Sequence, residues 1–199
     1  MLIVRELSLG PLRFAELARD VGGAPTDVLT KRLRDLEAEG VVERRELDPP
    51  ASAVAYELTE LGRGLERPML ELSRWGLNFQ NVADVAGLAP SSLPNGLRTI
   101  LQPPPDASIT VGLRSEGRSF NLRIEGGWIE ASRGEASGAD VSFSGTPFGV
   151  IAAIVAGGDA EAEVEIEGDL EALEALREMI VLPERLREEA LATLVGAAA

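Results

Sequence analysis

The chain has 199 residues and 45% hydrophobic content, enough for two ordinary domains with a core in each. It holds no cysteine and no histidine, which removes disulfides, thiolate and imidazole metal sites, histidine-based triads and the commonest general base. Its net charge of −14 is strongly acidic. The longest apolar run, Phe148 to Ala156, is too short to cross a bilayer, and no basic-then-apolar leader opens the chain, so a cytoplasmic protein without a membrane partner is expected.

Met1 to Ser8 reads as a short helix with Leu2, Ile3 and Leu7 turned inward, ended by Gly10-Pro11. Arg13 to Val21 is a second amphipathic helix, with Phe14, Leu17, Ala18 and Val21 at helical spacing, and Gly22-Gly23 makes a turn. Pro25 can start a third helix without losing a hydrogen bond, and Gly40 can stop it in a left-handed turn. Between them Leu29, Leu33 and Leu36 share one face. The opposite face carries Thr26, Asp27, Thr30, Lys31 and Arg34, short hydrogen-bonding groups followed by cations. Such a face can lie in a major groove.

After Gly40 the period changes to two. Val42 and Arg44 alternate with Glu43 and Arg45, Asp48-Pro49-Pro50 interrupts, and Val54, Tyr56 and Leu58 alternate with Ala55 and Glu57. This predicts a hairpin whose tip is too long for a tight turn, a wing. Thr59 then caps a helix that Leu61, Leu65, Met69, Leu72, Trp75 and Gly76 continue, with a kink expected at Pro68. Met69, Leu72 and Trp75 on one side of that helix either close the small domain or pair it with a second copy.

The run from Leu2 to Leu65 resembles the winged helix-turn-helix domain of the HxlR family of bacterial transcriptional regulators. The pieces that carry the resemblance are Arg5-Glu6-Leu7, Gly10 to Leu17, Leu29-Thr30-Lys31-Arg32-Leu33, Leu36 to Gly40, Val42-Glu43-Arg44 and Tyr56 to Gly62. The resemblance implies a double-stranded DNA partner, base contacts from Thr26, Thr30, Lys31 and Arg34, and phosphate contacts from Arg44 and Arg45. It also implies a homodimer built on the terminal helices, here Met69, Leu72 and Trp75. Family members usually have a longer first helix with a tryptophan, and often a cysteine, ahead of the leucine-rich segment. This chain opens inside that helix, so its natural start is expected upstream, and the missing cysteine excludes the thiol-based sensing that some relatives use.

Acidity counts against nucleic acid, because a phosphate backbone needs local positive potential. Its distribution changes the argument. Met1 to Gln80 carries eleven cations against fourteen acids, a net of −3, which leaves −11 of the −14 to the rest of the chain. The cations of the first part gather on the third helix and the wing.

Asn78 to Pro105 reads as an irregular boundary rich in Gly, Pro and Ser, with a helical turn or more at Gly96 to Leu101 and a stiff Pro103-Pro104-Pro105. From Ser108 the period is again two. Ile109, Val111 and Leu113, then Phe120, Leu122 and Ile124, then Trp128 to Ala131, then Val141 and Phe143 predict an antiparallel meander with one dry face. Thr146-Pro147 starts a helix through Ala156 that is apolar nearly all round, ended by Gly157-Gly158. Glu163 to Glu167 is a further strand. Asp169 caps a helix carrying Leu170, Leu173, Leu176 and Ile180, and Glu184 to Leu194 is the last.

This order resembles the sterol carrier protein type-two fold, on Gly126-Gly127-Trp128-Ile129 with Gly134, Ala139-Asp140-Val141 before the Thr146-Pro147 helix, Ala156-Gly157-Gly158, and Ile166 to Leu173. The expected class is therefore α+β, with a winged domain over 1–80 and, over 81–199, an antiparallel sheet covered by helices. The resemblance implies a hydrophobic ligand, lipid or acyl, against Phe120, Leu122, Val141, Phe143, Phe148, Ile151, Ala152 and Ile154. The same residues serve equally as plain core. Two functions stay open: a DNA-binding regulator whose second domain senses a hydrophobic effector, or a lipid-binding or protein-interaction module whose winged domain binds no operator. No catalytic residue, metal or cofactor is expected, since Glu163, Glu165 and Glu167 alternate as solvated charge on a strand.

Overall fold

A computed structural model of the chain describes residues 1–46, 53–81, 89–157 and 164–189. They fall into two units, Met1–Glu71 and Leu72–Ala199. In the first, α1 (Leu2–Leu7), α2 (Phe14–Asp20) and α3 (Thr26–Ala38) pack on an antiparallel sheet of β1 (Leu12–Arg13), β2 (Val42–Glu46) and β3 (Val54–Leu58), with β3 in the middle. Ile3, Val4, Leu7, Leu17, Leu29, Leu33, Val42 and Leu58 are buried together, and Phe14, Ala18, Val21, Leu36 and Met69 pack around them. The helical periodicities thus point where the sequence sent them, except at Leu2, which is exposed. A six-residue helix lying on a core offers it one stripe, here Ile3, Val4 and Leu7.

The end of α3 fixes the junction with the hairpin. Gly40 takes a left-handed backbone, φ +68°, its amide donates to the Glu37 carbonyl at 3.0 Å, and the Val41 amide donates to Leu36 at 2.9 Å. This closes the last turn with two crossed bonds and sets Val41 beside Leu36. The Thr59 hydroxyl then donates to the Gly40 carbonyl at 2.6 Å while accepting from the Gly62 amide at 3.1 Å, so one side chain caps both the end of α3 and the start of α4 (Glu60–Arg63). α4 lies so close to this turn that a Cβ on Gly62 would stand 2.1 Å from the Val41 carbonyl oxygen.

The helix after the wing differs from the expectation. It breaks at Gly64-Leu65 instead of kinking at Pro68, and resumes as α5 (Glu66–Gly76). A proline ring collides with the carbonyl four residues back, which is Gly64, so the chain ends one helix there and places Pro68 in the first turn of the next, where no amide is missed. The wing tip, with Asp48-Pro49-Pro50, lies outside the described residues.

In the second unit a short 3-10 turn (Leu77–Phe79) follows, and then α6 (Ser92–Ile100). The expectation of an irregular 78–105 with a helical turn at Gly96 to Leu101 is corrected over 92–100; 82–88 lie outside the described residues. α6 is a core helix with Leu93, Leu97 and Ile100 buried, and even Arg98, only 4% exposed, lies with its guanidinium 5.5 Å from the Trp128 ring centroid. Pro94 sits in its first turn and costs it nothing, so burial of the leucines outweighs a loop-like composition.

The sheet of this unit runs β6 (Trp128–Arg133), β5 (Arg118–Glu125), β4 (Ser108–Ser115), β7 (Val141–Ser144), β8 (Glu165–Gly168). It is mixed, not an antiparallel meander: β7 pairs parallel to β4, with Val111 opposite Val141 and Leu113 opposite Phe143. Residues 134–140 carry the chain across, and Asp140 anchors the crossing by donating its amide to the Thr110 carbonyl at 2.9 Å and accepting the Thr110 amide on its carboxylate at 2.7 Å. Register gives one dry face, with Val111, Leu113, Phe120, Leu122, Ile124, Val141 and Phe143 buried.

α7 (Pro147–Ala156) begins at Thr146, whose hydroxyl accepts the Gly149 amide at 3.0 Å, and buries Val150, Ala152, Ala153 and Ile154. α8 (Leu170–Glu178) begins at Asp169, which accepts from the Glu171 amide, and buries Ala172, Leu173 and Leu176. Leu170, at the first position of that helix, is 73% exposed. Ile180 lies past the helix and bridges Leu101. Residues 184–189 are helical; Gly158, Glu163 and Leu194 lie outside the described residues. No helix among the described residues is long and apolar enough to cross a membrane.

The contact at Gly62 gives a direct check. Gly62→Ala should lower the stability of the first unit by about 3 kcal/mol, the upper end for overpacking, because the clash is with backbone. Gly76→Ala, where a Cβ meets nothing within 4 Å, should be neutral or stabilise by up to about 1 kcal/mol. Urea unfolding followed by circular dichroism reads both, and equal midpoints for the two variants would contradict the assignment.

Candidate nucleic-acid interface

Leu29 and Leu33 are 2% and 1% exposed, so the core sets which way the outer face of α3 points. On that face Thr26, Asp27, Lys31 and Arg34 are exposed and Thr30 is half-buried. The Thr30 hydroxyl donates to the Thr26 carbonyl at 2.6 Å, which uses its proton and leaves it as an acceptor. Lys31 and Arg34 have no ion pair or hydrogen bond among the described residues. Arg32, one side round, meets Asp35 at 3.9 Å instead. Val28, 46% exposed, adjoins Lys31, an apolar member of the face that the sequence reading left out. Its spacing of three from Lys31 was the signal that could have placed it there.

The wing cations are not free. Arg44 Nε meets Glu37 Oε1 at 2.8 Å and Nη2 meets Oε2 at 3.2 Å, a two-point pair, while its guanidinium lies 5.5 Å from the Tyr56 ring centroid. The Glu37 hydrogen bond first, then the Tyr56 and Glu37 charges, hold the Arg44 pKa above its already high ordinary value. Arg45 Nη1 meets Glu57 Oε2 at 3.3 Å. Each cation that the sequence assigned to phosphate is thus already engaged by a carboxylate of its own chain. Glu37 and Glu57 carry no assigned role in the sequence reading, since pairing across a turn or between strands leaves no local spacing to read.

The remaining candidates separate by burial. Met69 packs on the core of the first unit, whereas Leu72 and Trp75 are 47% and 61% exposed. Phe79, 67% exposed, stacks at a tilt on Trp75 with ring centroids 4.8 Å apart, and joins that apolar surface without having been expected there. In the second unit Phe120, Leu122, Val141, Phe143, Ala152 and Ile154 are buried, and Phe148 and Ile151 are half-buried along one side of α7. Among the described residues no group of three or more acidic side chains is placed to hold a metal ion.

Comparison with known proteins bears on the first unit. Residues 1–84 match the family model described as HxlR-like helix-turn-helix. The uncharacterized HTH-type transcriptional regulator BH0655 of Halalkalibacterium halodurans is 38% identical over 71 residues, 36% of this chain and 63% of that protein. The chain thus spans less than two thirds of that relative's length. The HTH-type transcriptional regulator YodB of Bacillus subtilis is 34% identical over 83 residues, 42% of this chain and 74% of that protein. A solved structure titled UbiJ-SCP2 ubiquinone synthesis protein is 14% identical, covers 62% of this chain and 99% of its own, and has a TM-score of 0.31, too low to carry an argument about the second unit. The two helices joined by a glycine turn, the hairpin behind them and the extent of the match to YodB agree on one conclusion: the chain belongs to the HxlR-like helix-turn-helix family.

Proposed function

We propose that the protein is a DNA-binding transcriptional regulator that reads a duplex with the outer face of α3. The observation that carries this reading is the pair of exposed cations Lys31 and Arg34, without a partner among the described residues, beside Thr26 and Thr30 on a helix locked from behind by Leu29 and Leu33. A helix of this kind fits the major groove, where Arg or Lys reads guanine, the Thr30 hydroxyl, its proton given to Thr26, accepts from a base amino group, and methyls such as those of Val28 meet thymine. The curated relatives named above, both HTH-type transcriptional regulators, support it. The acidity of the whole chain is no obstacle, because most of it lies beyond residue 80.

Base contacts specify and phosphate contacts position, so loss of a base-reading cation should change preference as well as affinity. Arg34→Ala should weaken binding to the DNA upstream of the protein's own coding sequence by about 1–3 kcal/mol and narrow the gap to unrelated DNA. A gel shift at matched salt reads both. A wild-type protein that shifts no duplex would return the chain to the alternative, a lipid-binding or protein-interaction module.

A regulator of this kind meets paired half-sites as a dimer. Leu72, Trp75 and Phe79 supply an apolar surface for a second copy, and Met69 anchors the same helix to its own core. Leu72→Glu should convert the dimer to a monomer with unchanged helix content. Sedimentation of the wild type as a monomer at tens of micromolar, roughly the range in which a standard interface persists, would count against it.

The second unit is proposed, in keeping with its resemblance to the sterol carrier protein type-two fold, to take a hydrophobic effector along α7, whose half-buried side of Phe148 and Ile151 offers apolar surface and no polar group. Phe120, Leu122, Val141, Phe143 and Ile154, all buried, are the apolar residues that such an effector would have to part and pack against. Coupling to DNA requires unequal binding to the two states of the first unit, typically about 1–3 kcal/mol. Ala152→Phe should abolish uptake of palmitate, measured by native mass spectrometry, while keeping the fold; uptake by neither protein would leave the unit without a ligand role.

A further inference from the structure

We infer that Arg44 is a positioning residue for the DNA-reading surface, not a phosphate contact: with Glu37 and Tyr56 it sets the wing hairpin against α3. The inference deepens the DNA-binding reading and rests on it for its functional consequence. Three observations converge. The contact to Glu37 is made at two points, so the guanidinium plane and the carboxylate plane must align, which a single-point ion pair does not require. The guanidinium also lies over the Tyr56 ring, 5.5 Å from its centroid, and Tyr56 sits directly opposite Arg44 on β3, the central strand of the sheet. Finally, Thr26, Thr30 and Glu37 follow one another at spacings of four and seven, which places Glu37 on the same side of α3 as the two hydroxyls. The clamp therefore grips the helix beside its reading face.

Without Arg44, Glu37 would be a bare carboxylate on a surface meant for phosphate. It would also stand near the C-terminal end of α3, where the helix dipole disfavours an anion and the last turn holds no basic residue. Exposed ion pairs contribute little to stability. The value of this one lies in geometry: a reading helix misplaced against its wing loses contacts on both elements together.

The test uses the full chain and the duplex from upstream of its own coding sequence, and it turns on Glu37→Gln. If Arg44 contacts phosphate, removing the neighbouring carboxylate removes a repulsion and frees the cation, so binding tightens. If Arg44 positions, Glu37→Gln and Arg44→Ala each weaken binding about three- to tenfold and the double variant is no worse than either. Arg44→Lys, which keeps the charge and loses the two-point geometry, should behave like Arg44→Ala. The slope of log affinity against log salt should stay at the wild-type value, whereas a lost phosphate contact flattens it by about 0.9. Tighter binding by Glu37→Gln together with a flattened slope for Arg44→Ala overturns the inference. Amide hydrogen exchange of the DNA-free protein decides the positioning claim separately. Both single variants should speed exchange at the hairpin amides of Val42–Glu46 and at the last turn of α3, and the double variant should add nothing. Unchanged exchange there overturns it, while a wild type that binds no duplex overturns only the DNA-binding reading.

Discussion

The Gly40-Val41 turn is held from three directions at once. α3 closes onto it through the Glu37 and Leu36 carbonyls, the Thr59 hydroxyl and amide bond its two carbonyls, and Gly62 lets α4 approach to a distance that no side chain would allow. Because the turn is both the end of α3 and the start of the hairpin, its geometry sets the angle between the helix proposed to read DNA and the strand that carries Arg44 and Arg45. It also shows how little of that precision needs a large core. Two glycines and one threonine supply it, with Leu29, Leu33 and Leu58 behind them as the apolar backing.

Charge on this surface is arranged in two tiers. Among the described residues Lys31 and Arg34 stand unpartnered on α3, whereas Arg44 and Arg45 on β2 are each taken up by a carboxylate. Unpartnered cations can exchange water for a base edge or phosphate at modest desolvation cost. Paired ones must first give up a carboxylate, so they are better suited to holding shape. A chain with so acidic a balance keeps positive potential on α3 by this division, and by keeping most of its acids beyond residue 80.

The second unit reaches its architecture by a different device. Its dry face is a simple alternation, but the order of strands depends on Asp140, which uses both amide and carboxylate on Thr110 and so docks β7 beside β4 instead of beside β6. The Asp140 carbonyl also accepts the amide of Asp169, the residue that caps α8. One residue thus ties the crossing, the parallel pair and the following helix together. α6 then fills the core that a loop-like composition concealed.

What the sequence by itself determined is the chemistry that acts within a few residues. Caps at Thr59, Thr146 and Asp169, the stop at Gly40, the inward leucines of α3 and the alternation of β4 and β5 all follow from hydrogen-bond valence and side-chain period, which need no knowledge of distant chain. The outer face of α3 was legible for the same reason, as the complement of its leucines. Tertiary structure alone decided the rest: that Pro68 begins a helix instead of bending one, that α6 is buried, that β7 lies parallel to β4, and that Arg44 and Arg45 find Glu37 and Glu57. Each of these depends on which surfaces meet, and pairing between segments far apart in the chain has no local spacing to announce it.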